Sequence, residues 1–300
     1  MVKVERKLQQ ISGSLLVSLP KEWTKQYKLK RGSKLQLEME YDGSLKIAPK
    51  LEEKQKIRKI VINFDQYFAR RFFKYYVAGY DYISIKFKNI PKAQKDSLYR
   101  FLKKFMNVQI IEESKEKIVI QNFKLEGATI TTCFNRMNFL VSNMFDELLT
   151  TNNTNQINEL DNSISLFYYM LIMQAREYLE YGKYTKAELS IISTMDYRMG
   201  AEKVERIGDV IKNLSKNKLN KEVIEFAKLI VKEYKKAVNS FINKEFEKAV
   251  ELWEDMKTIK QHYQKTKNKL IKSNDIKSIE QLNDLMQIME YAKDIANLVK

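Results

Sequence analysis

A long helical pattern, beginning near Ala128 and continuing to residue 300, limits the fold more than any other feature. Short polar breaks divide it into six predicted helices, which span residues 129–150, 156–181, 184–215, 220–242, 244–272 and 275–299. The stretch from Asn162 to Met173 is apolar nearly all round, which predicts that the second helix is central to a bundle. The C-terminal part, residues 126–300, is therefore predicted to be a mainly α domain.

The third and sixth predicted helices carry the same acidic spacing. Glu205 and Asp209 lie four residues apart in E-R-I-G-D, and Glu290 and Asp294 repeat that spacing 85 residues later. Side chains at i and i+4 share one helix face. Two carboxylates this close repel each other unless a cation, an arginine or a proton intervenes. The spacing predicts either an oxygen-ligand site for a hard cation or a solvated acidic stripe offset by neighbouring basic residues.

The segment VERIGDVIKNL resembles the repeats of the PhoU family of phosphate-uptake regulators. MEYAKDIANLV is similar to the more divergent repeats of archaeal members, although the three residues inside its motif differ from the first copy. The resemblance spans roughly residues 128–300. It implies two three-helix bundles, phosphate-linked regulation, and contact with a phosphate ABC transporter or its regulatory proteins. It also implies a metal ion, either iron, zinc or another divalent cation, with Glu205, Asp209, Glu290 and Asp294 as ligands.

The first fifty residues combine strand patterns with few apolar side chains. A β-prone run over 14–19 stops at Pro20, and a short helix is predicted over 21–29. Alternating apolar positions over 35–41 and 45–47 predict two strands, joined by a turn at Asp42-Gly43. So small a unit cannot build a sufficient core alone, which predicts that it dimerises.

The order RKLQQISGSLLVSLPKEW, then YKLKRGSKLQLEMEYDGSLKIAP, resembles the SpoVT/AbrB swapped-hairpin family over about residues 3–49. Members interleave two chains into one β-barrel and bind DNA, so the resemblance implies a homodimeric DNA-binding domain at residues 1–50. An AbrB-like segment fused to PhoU-like repeats is an arrangement associated with archaea. The alternative is a barrel that serves only for dimerisation. The candidate phosphate-contacting residues are Arg6, Lys7, Lys21, Lys25, Lys28, Lys30 and Arg31.

Residues 54–122 alternate between strand and helix patterns. Strands are predicted over 57–64, 82–87, 108–111 and 118–120, and helices over 67–78 and 91–106. The order is β-α-β-α-β-β, which is typical of a small α+β domain without a Gly-rich phosphate loop. Aromatic residues between Tyr67 and Tyr76 recur at helical spacing, which favours core or dimer packing over a base-stacking platform.

The net charge of +16 is unevenly placed. Residues 1–50 carry 11 basic and 5 acidic side chains, residues 51–125 add +9, and residues 126–300 sum to only +1. This asymmetry favours an anionic partner for the N-terminal part, nucleic acid being the usual one. A merely lysine-rich surface would have the same composition.

Catalysis is not expected. The single histidine, His262, lies in a predicted helix among lysines, and Cys133 has no histidine in its segment. No Walker, G-x-S-x-G or H-E-x-x-H motif occurs. One cysteine excludes an internal disulfide framework, and no apolar run approaches the length of a membrane span. A cytoplasmic location without membrane insertion is therefore expected.

The sequence predicts a homodimeric, DNA-binding transcriptional regulator of phosphate uptake, with a PhoU-like sensory domain. Two alternatives stay open. One is an adaptor that acts on the phosphate transporter machinery by protein contacts alone and uses its barrel only to dimerise. The other is a metal-storage protein or metal-dependent enzyme built on the acidic helices.

Overall fold

The fold is that of a computed structural model, which describes residues 5–39, 43–49, 57–123, 127–181 and 189–299. The chain divides into two compact units, residues 1–56 and residues 57–300. The first unit is called the head below. The second contains an α/β part, residues 57–123, and a helical part that begins at residue 127.

Where the structure describes the head, it forms two hairpins and one short helix. Its elements are β1 (Gln9–Ile11), β2 (Ser14–Leu16), α1 (Lys21–Gln26), β3 (Leu35–Met39) and β4 (Leu45–Pro49). β1 pairs with β2 and β3 with β4, both antiparallel. Ser12 and Gly13 connect the first hairpin with positive φ angles of 48° and 83°, as a two-residue turn matched to strand twist requires. β1 was not predicted from the sequence, and Asp42 of the second predicted turn lies outside the described residues.

The described residues of the head contain no buried side chain. Leu8, Leu15 and Leu37 have exposed fractions of 63%, 66% and 60%. The two hairpins form separate two-stranded sheets, so the described residues of one chain do not close a barrel. An isolated two-stranded sheet is marginal in water, and the part of the head that the structure describes has no core of its own.

The α/β part has the predicted order β-α-β-α-β-β. Its elements are β5 (Lys59–Asn63), α2 (Phe68–Val77), β6 (Tyr82–Lys86), α3 (Lys92–Leu102), β7 (Val108–Glu113) and β8 (Lys117–Asn122). They form one sheet of order β5-β6-β8-β7, in which β5 and β6 are parallel and the other pairs antiparallel.

One face of this sheet carries the core of the α/β part. Alternate residues of the strands, such as Ile83, Ile85 and Ile120, are fully buried. The aromatic residues of α2 pack there, with Phe72 at 5.0 Å ring distance from Phe105. The expectation of aromatic core packing is confirmed. Ile172 of the helical part joins the same core.

Residues 127–181 and 189–299 of the helical part form six helices. They are α4 (Ile130–Thr150), α5 (Thr154–Tyr181), α6 (Ile191–Leu214), α7 (Lys221–Asn243), α8 (Phe246–Lys272) and α9 (Ile276–Ala296). α4, α5 and α6 pack together, α7, α8 and α9 pack together, and α6 lies against α9. The prediction of a mainly α fold with two three-helix bundles is confirmed. Among the described residues, no helix combines the length and the apolar character needed to cross a membrane.

Side-chain caps set where four of these helices begin, namely α4, α6, α7 and α9. Thr129, Ser190, Asn220 and Asp275 each accept a hydrogen bond from the backbone N–H three residues later, satisfying a donor that the helix leaves unpaired. The Ser190 cap places the start of α6 at Ile191, so the predicted start at residue 184 is wrong. Residues 184–188 of that prediction lie outside the described residues.

Candidate nucleic-acid interface and acidic helix faces

The seven predicted phosphate-contacting residues all have exposed side chains. Lys21 and Lys25 lie on α1, while Lys28, Lys30 and Arg31 follow directly after it. None of the seven forms an ion pair with another described residue. Basic side chains without carboxylate partners are available to phosphate groups, since they need not exchange an internal ion pair for an external one.

A tight turn presents the last three of these residues. Lys28 has a left-handed φ of 51° and ends the helix, with the Leu29 N–H donating to the Thr24 carbonyl at 2.9 Å. The Ser33 hydroxyl then accepts from the Lys30 N–H at 2.9 Å. The backbone that carries these basic side chains is therefore fixed by local hydrogen bonds.

The first acidic pair, Glu205 and Asp209 of α6, lies beside a third carboxylate. The spacing of residues along α6 does not reveal this third group. Asp161 of α5 is buried, with 8% of its side chain exposed, and the Lys212 ammonium pairs with it at 2.7 Å. Burial, the neighbouring Asp209 and then Asp161 raise the pKa of Glu205 to about 7. Three carboxylates thus lie close to one ion-paired lysine, and the charge of Arg206 also offsets part of their repulsion. A proton held on Glu205 near neutral pH relieves part of their repulsion.

Gly208 allows this close approach of α5 and α6. A Cβ atom at Gly208 would lie 3.2 Å from Ile164 Cδ1 and 3.6 Å from Asp161 Oδ1. The glycine of the E-R-I-G-D segment is therefore a packing residue, and it lets Asp161 reach the acidic face. Asp161 could not be found from the local spacing, because it belongs to another helix.

We expect Glu205→Gln to stabilise the protein at pH 8 and to change its stability little at pH 5. The folded state holds the Glu205 proton more tightly than the unfolded chain, so the wild type loses stability as pH rises towards and through about 7. The neutral amide avoids that loss. Allowing for solvent screening of a half-buried group, the gain at pH 8 is on the order of 1 kcal/mol. Urea unfolding at the two pH values measures it.

Glu202→Gln on the same helix is the matched control, with the opposite expected sign. Burial opposes ionisation there, but the hydrogen bond and charge of Arg206 lower the pKa of Glu202. Its stabilising contribution is present at pH 8 and is lost as pH falls. If both variants shifted stability in the same direction at pH 8, the crowding at Glu205 would be excluded as the cause.

The second acidic pair is held by lysines. Glu290 pairs with Lys293 on its own helix and lies 4.0 Å from Lys260. Asp294 pairs with Lys203 of α6 at 2.9 Å. The two pairs therefore lie on helices that pack together, but the structure does not bring their four carboxylates to one point.

A further pair with the same spacing was not predicted from the sequence. Glu251 and Asp255 lie on α8, and Lys236 of α7 reaches both, at 2.8 Å and 3.0 Å. Its E-x-x-x-D spacing can be found in the sequence as easily as that of the two predicted pairs. At these three pairs a lysine pairs with one of the two carboxylates or with the carboxylate beside them, which favours the solvated, ion-paired alternative for these faces. Glu280 and Asp284 of α9 have the same spacing, and there Asp284 accepts a hydrogen bond from the Asn213 amide at 3.1 Å.

A metal centre requires several ligands that converge on one point. Among the described residues, no three His, Cys, Asp or Glu side chains come together in a group that could hold a metal ion. The arrangement within one chain does not fit a centre formed by Glu205, Asp209, Glu290 and Asp294. Their assignment to iron, zinc or another divalent cation stays a prediction, which elemental analysis of the purified protein can test.

The two side chains considered for catalysis have ordinary packing roles. His262 stacks on the ring of Phe226, with centroids 5.8 Å apart and planes 5° from parallel. Cys133 is buried in the helical core, and burial raises the pKa of its thiol to about 12. A thiolate is therefore scarce at neutral pH, and a thiolate is the form that acts as nucleophile.

Comparison with known proteins finds a match in the head. Residues 8–55 match the family model of antidote-toxin recognition MazE, a bacterial antitoxin. The chain carries a MazE/AbrB-like domain at its N-terminus. The crystal structure of PhoU from Pseudomonas aeruginosa is similar over 57% of this chain and 93% of that chain, with a TM-score of 0.49 and 16% identity. No curated protein matches significantly.

Proposed function

We propose that this protein is a cytoplasmic, homodimeric, DNA-binding regulator of phosphate uptake. The observation that carries the proposal is the set of seven exposed basic side chains, unpaired among the described residues, on a MazE/AbrB-like head. Lysine and arginine contacts to phosphates release counterions, so the binding depends steeply on salt. Arg31 or Arg6 could add base recognition by reaching guanine in the major groove.

Dimerisation is proposed from the apolar side chains of the head. Leu15, Leu37 and Met39 are exposed by 66%, 60% and 84% in the single chain. Exposed apolar side chains concentrated in so small a unit indicate a protein interface. A second copy of the head would cover them and supply the missing core, as the resemblance to swapped-hairpin proteins implies.

The link to phosphate rests on the PhoU-like E-R-I-G-D segment of α6 and its divergent copy in α9. In this proposal the two bundles report phosphate status, and a phosphate ABC transporter or its regulatory proteins are the partners. Regulation requires two states of the bundles that arrange the paired heads differently. We propose a binding role, and no catalytic step, for the carboxylates of these helices.

Charge reversal of Lys7, Lys28 and Arg31 together is expected to abolish DNA retention while the fold is kept. All three side chains are exposed and free of described ion pairs, so the change removes phosphate contacts without removing internal ones. Fluorescence anisotropy with labelled genomic fragments at low salt measures the affinity. For milder, single substitutions the slope of log K against log salt should fall by roughly one for each phosphate-binding side chain removed.

A matched triple variant on α8, Lys257→Glu, Lys265→Glu and Lys272→Glu, makes the same change in net charge from exposed positions. Its DNA affinity should stay within about threefold of the wild type, since any remaining effect comes from net charge alone. Equal losses in the two triple variants would show that binding is unspecific attraction. Failure of the wild type to bind DNA at low salt would remove the proposal.

The alternative is an adaptor whose head only dimerises. The exposed apolar side chains of the head favour it as much as they favour the DNA-binding regulator, because both need the same interface. DNA binding by the dimer at low salt distinguishes the two hypotheses. A dimer that binds no DNA at low salt supports the adaptor, whereas a dimer with salt-dependent DNA binding supports the regulator.

A further inference from the structure

An open groove of about 690 Å³ lies at one end of the four-stranded sheet, where the parallel strands β5 and β6 reach their carboxyl ends. Ligands of open α/β sheets bind preferentially outside the carboxyl ends of parallel strands. The volume lies within the range of small-ligand sites. The side chains used below are Asn63, Phe64, Lys86, Lys88 and Lys117, together with the exposed carboxylates Glu112 and Glu116.

The strand register brings two lysines together in this groove. Lys86 of β6 lies opposite Lys117 of β8, and Asn63 of β5 lies on the other side of Lys86. Like charges directly opposite each other on neighbouring strands destabilise a sheet. An anion between the two ammonium groups would remove this repulsion, and the Asn63 amide could donate to it.

Backbone hydrogen bonds fix the groove. The Phe64 N–H donates to the Lys86 carbonyl at 2.8 Å, and the Ser114 N–H donates to the Lys117 carbonyl at 2.8 Å. The Phe64 ring packs 5.2 Å from the ring of Phe68, at the start of α2. Phe64 is half-buried and forms a rigid apolar wall beside the charged row.

The lysines that line the groove form few ion pairs with the described residues, and the pair that does form is exposed to solvent. Lys86 and Lys88 are exposed and make no ion pair with another described residue. Lys117 pairs with Glu112 at 2.8 Å, but 56% of the glutamate side chain is exposed. Such a surface pair contributes little and is readily exchanged for a stronger anion.

We propose that this groove binds a nucleotide, with its phosphate between Lys86 and Lys117 and its base against Phe64. A compact phosphate ester fits better than a nucleic acid. The carboxylates of Glu112 and Glu116 also line the groove, and they would repel a continuous polyanion running across it. The groove contains no residue of the head. Nucleotide binding can therefore be tested independently of the proposed DNA binding.

Calorimetric titration of the full chain with ATP, without divalent cations and at low salt, tests the site. The wild type should bind one ATP per chain. Lys86→Gln combined with Lys117→Gln should weaken binding at least about tenfold. A control that removes the same charge, Lys103→Gln with Lys104→Gln at exposed positions directly after α3, should leave ATP affinity unchanged.

Three results would overturn the proposal. The first is that the wild type binds no ATP. This result would overturn the proposal even if the Lys86/Lys117 variant bound DNA more weakly than the wild type. The second is equal weakening by the control, which would indicate attraction by net charge. The third is equal affinity for ATP and inorganic phosphate, which would exclude a role for the Phe64 wall. The Lys86/Lys117 variant should unfold at the same temperature as the wild type or higher, since it removes a like-charge pair.

Discussion

Replacing Leu15 and Leu37 with aspartate is expected to convert a dimer of two 35.6 kDa chains into a monomer of 35.6 kDa. The same replacement is expected to abolish DNA binding. In a single chain both leucines are exposed by at least 60%, so the change costs the monomer little. In a dimeric head the same positions would place charges in an apolar interface. Each buried leucine there stabilises by about 2 kcal/mol, and burying an unpaired carboxylate costs several kcal/mol more.

Ile271→Asp with Ile276→Asp provides the matched control. These side chains are also exposed, by 55% and 62%, but they belong to the helical part. Their replacement should leave the mass in solution unchanged in light scattering. A Leu15/Leu37 variant that keeps the mass and DNA affinity of the wild type would show that the apolar surface of the head is not the dimer interface.

Lys212→Met is expected to lower the free energy of unfolding by about 2 kcal/mol at pH 8. The substitution keeps an unbranched apolar stem, one atom shorter than lysine, but leaves Asp161 buried without its cation, close to Glu205 and Asp209. The figure is below that for a fully buried pair because 39% of the Lys212 side chain is exposed. The loss should shrink at pH 5, where Glu205 is protonated.

Two further variants make this result specific. Asp161→Asn combined with Lys212→Met should recover most of the lost stability, because it removes the charge that needs a cation. Lys228→Met deletes an exposed pair with Glu225 on α7 and should cost no more than about 0.5 kcal/mol. A double variant as unstable as Lys212→Met alone would show that the lysine acts through packing of its stem rather than through its charge.

Several helix boundaries could be predicted because local sequence determines them. α7 begins where Asn220 caps it, and Lys244 ends it in a left-handed conformation. The start of α6 was misplaced because helix periodicity continues upstream, whereas the Ser190 cap decides where the helix begins. β1 was missed because Gln9–Ile11 has almost no apolar alternation. It is defined by pairing across the Ser12-Gly13 turn.

The candidate sites depended on information that no local pattern contains. Glu205, Asp209 and Asp294 could be singled out from their spacing. Asp161, which lies beside the first pair, and Lys203, which pairs with Asp294, are brought there by contacts between helices. The pairing of Lys86 with Lys117 depends on the register of two strands about thirty residues apart in the sequence. Spacing therefore identifies the faces of elements, whereas packing decides which faces meet.

Multi-angle light scattering of the wild-type protein mixed with a short duplex at low salt tests the central claim most directly. A dimeric, DNA-binding head predicts a complex that contains two chains of 35.6 kDa for each bound duplex and dissociates into protein dimer and free DNA as salt is raised. A protein that elutes as a single chain, or a dimer that leaves the duplex free even at the lowest salt, would contradict it.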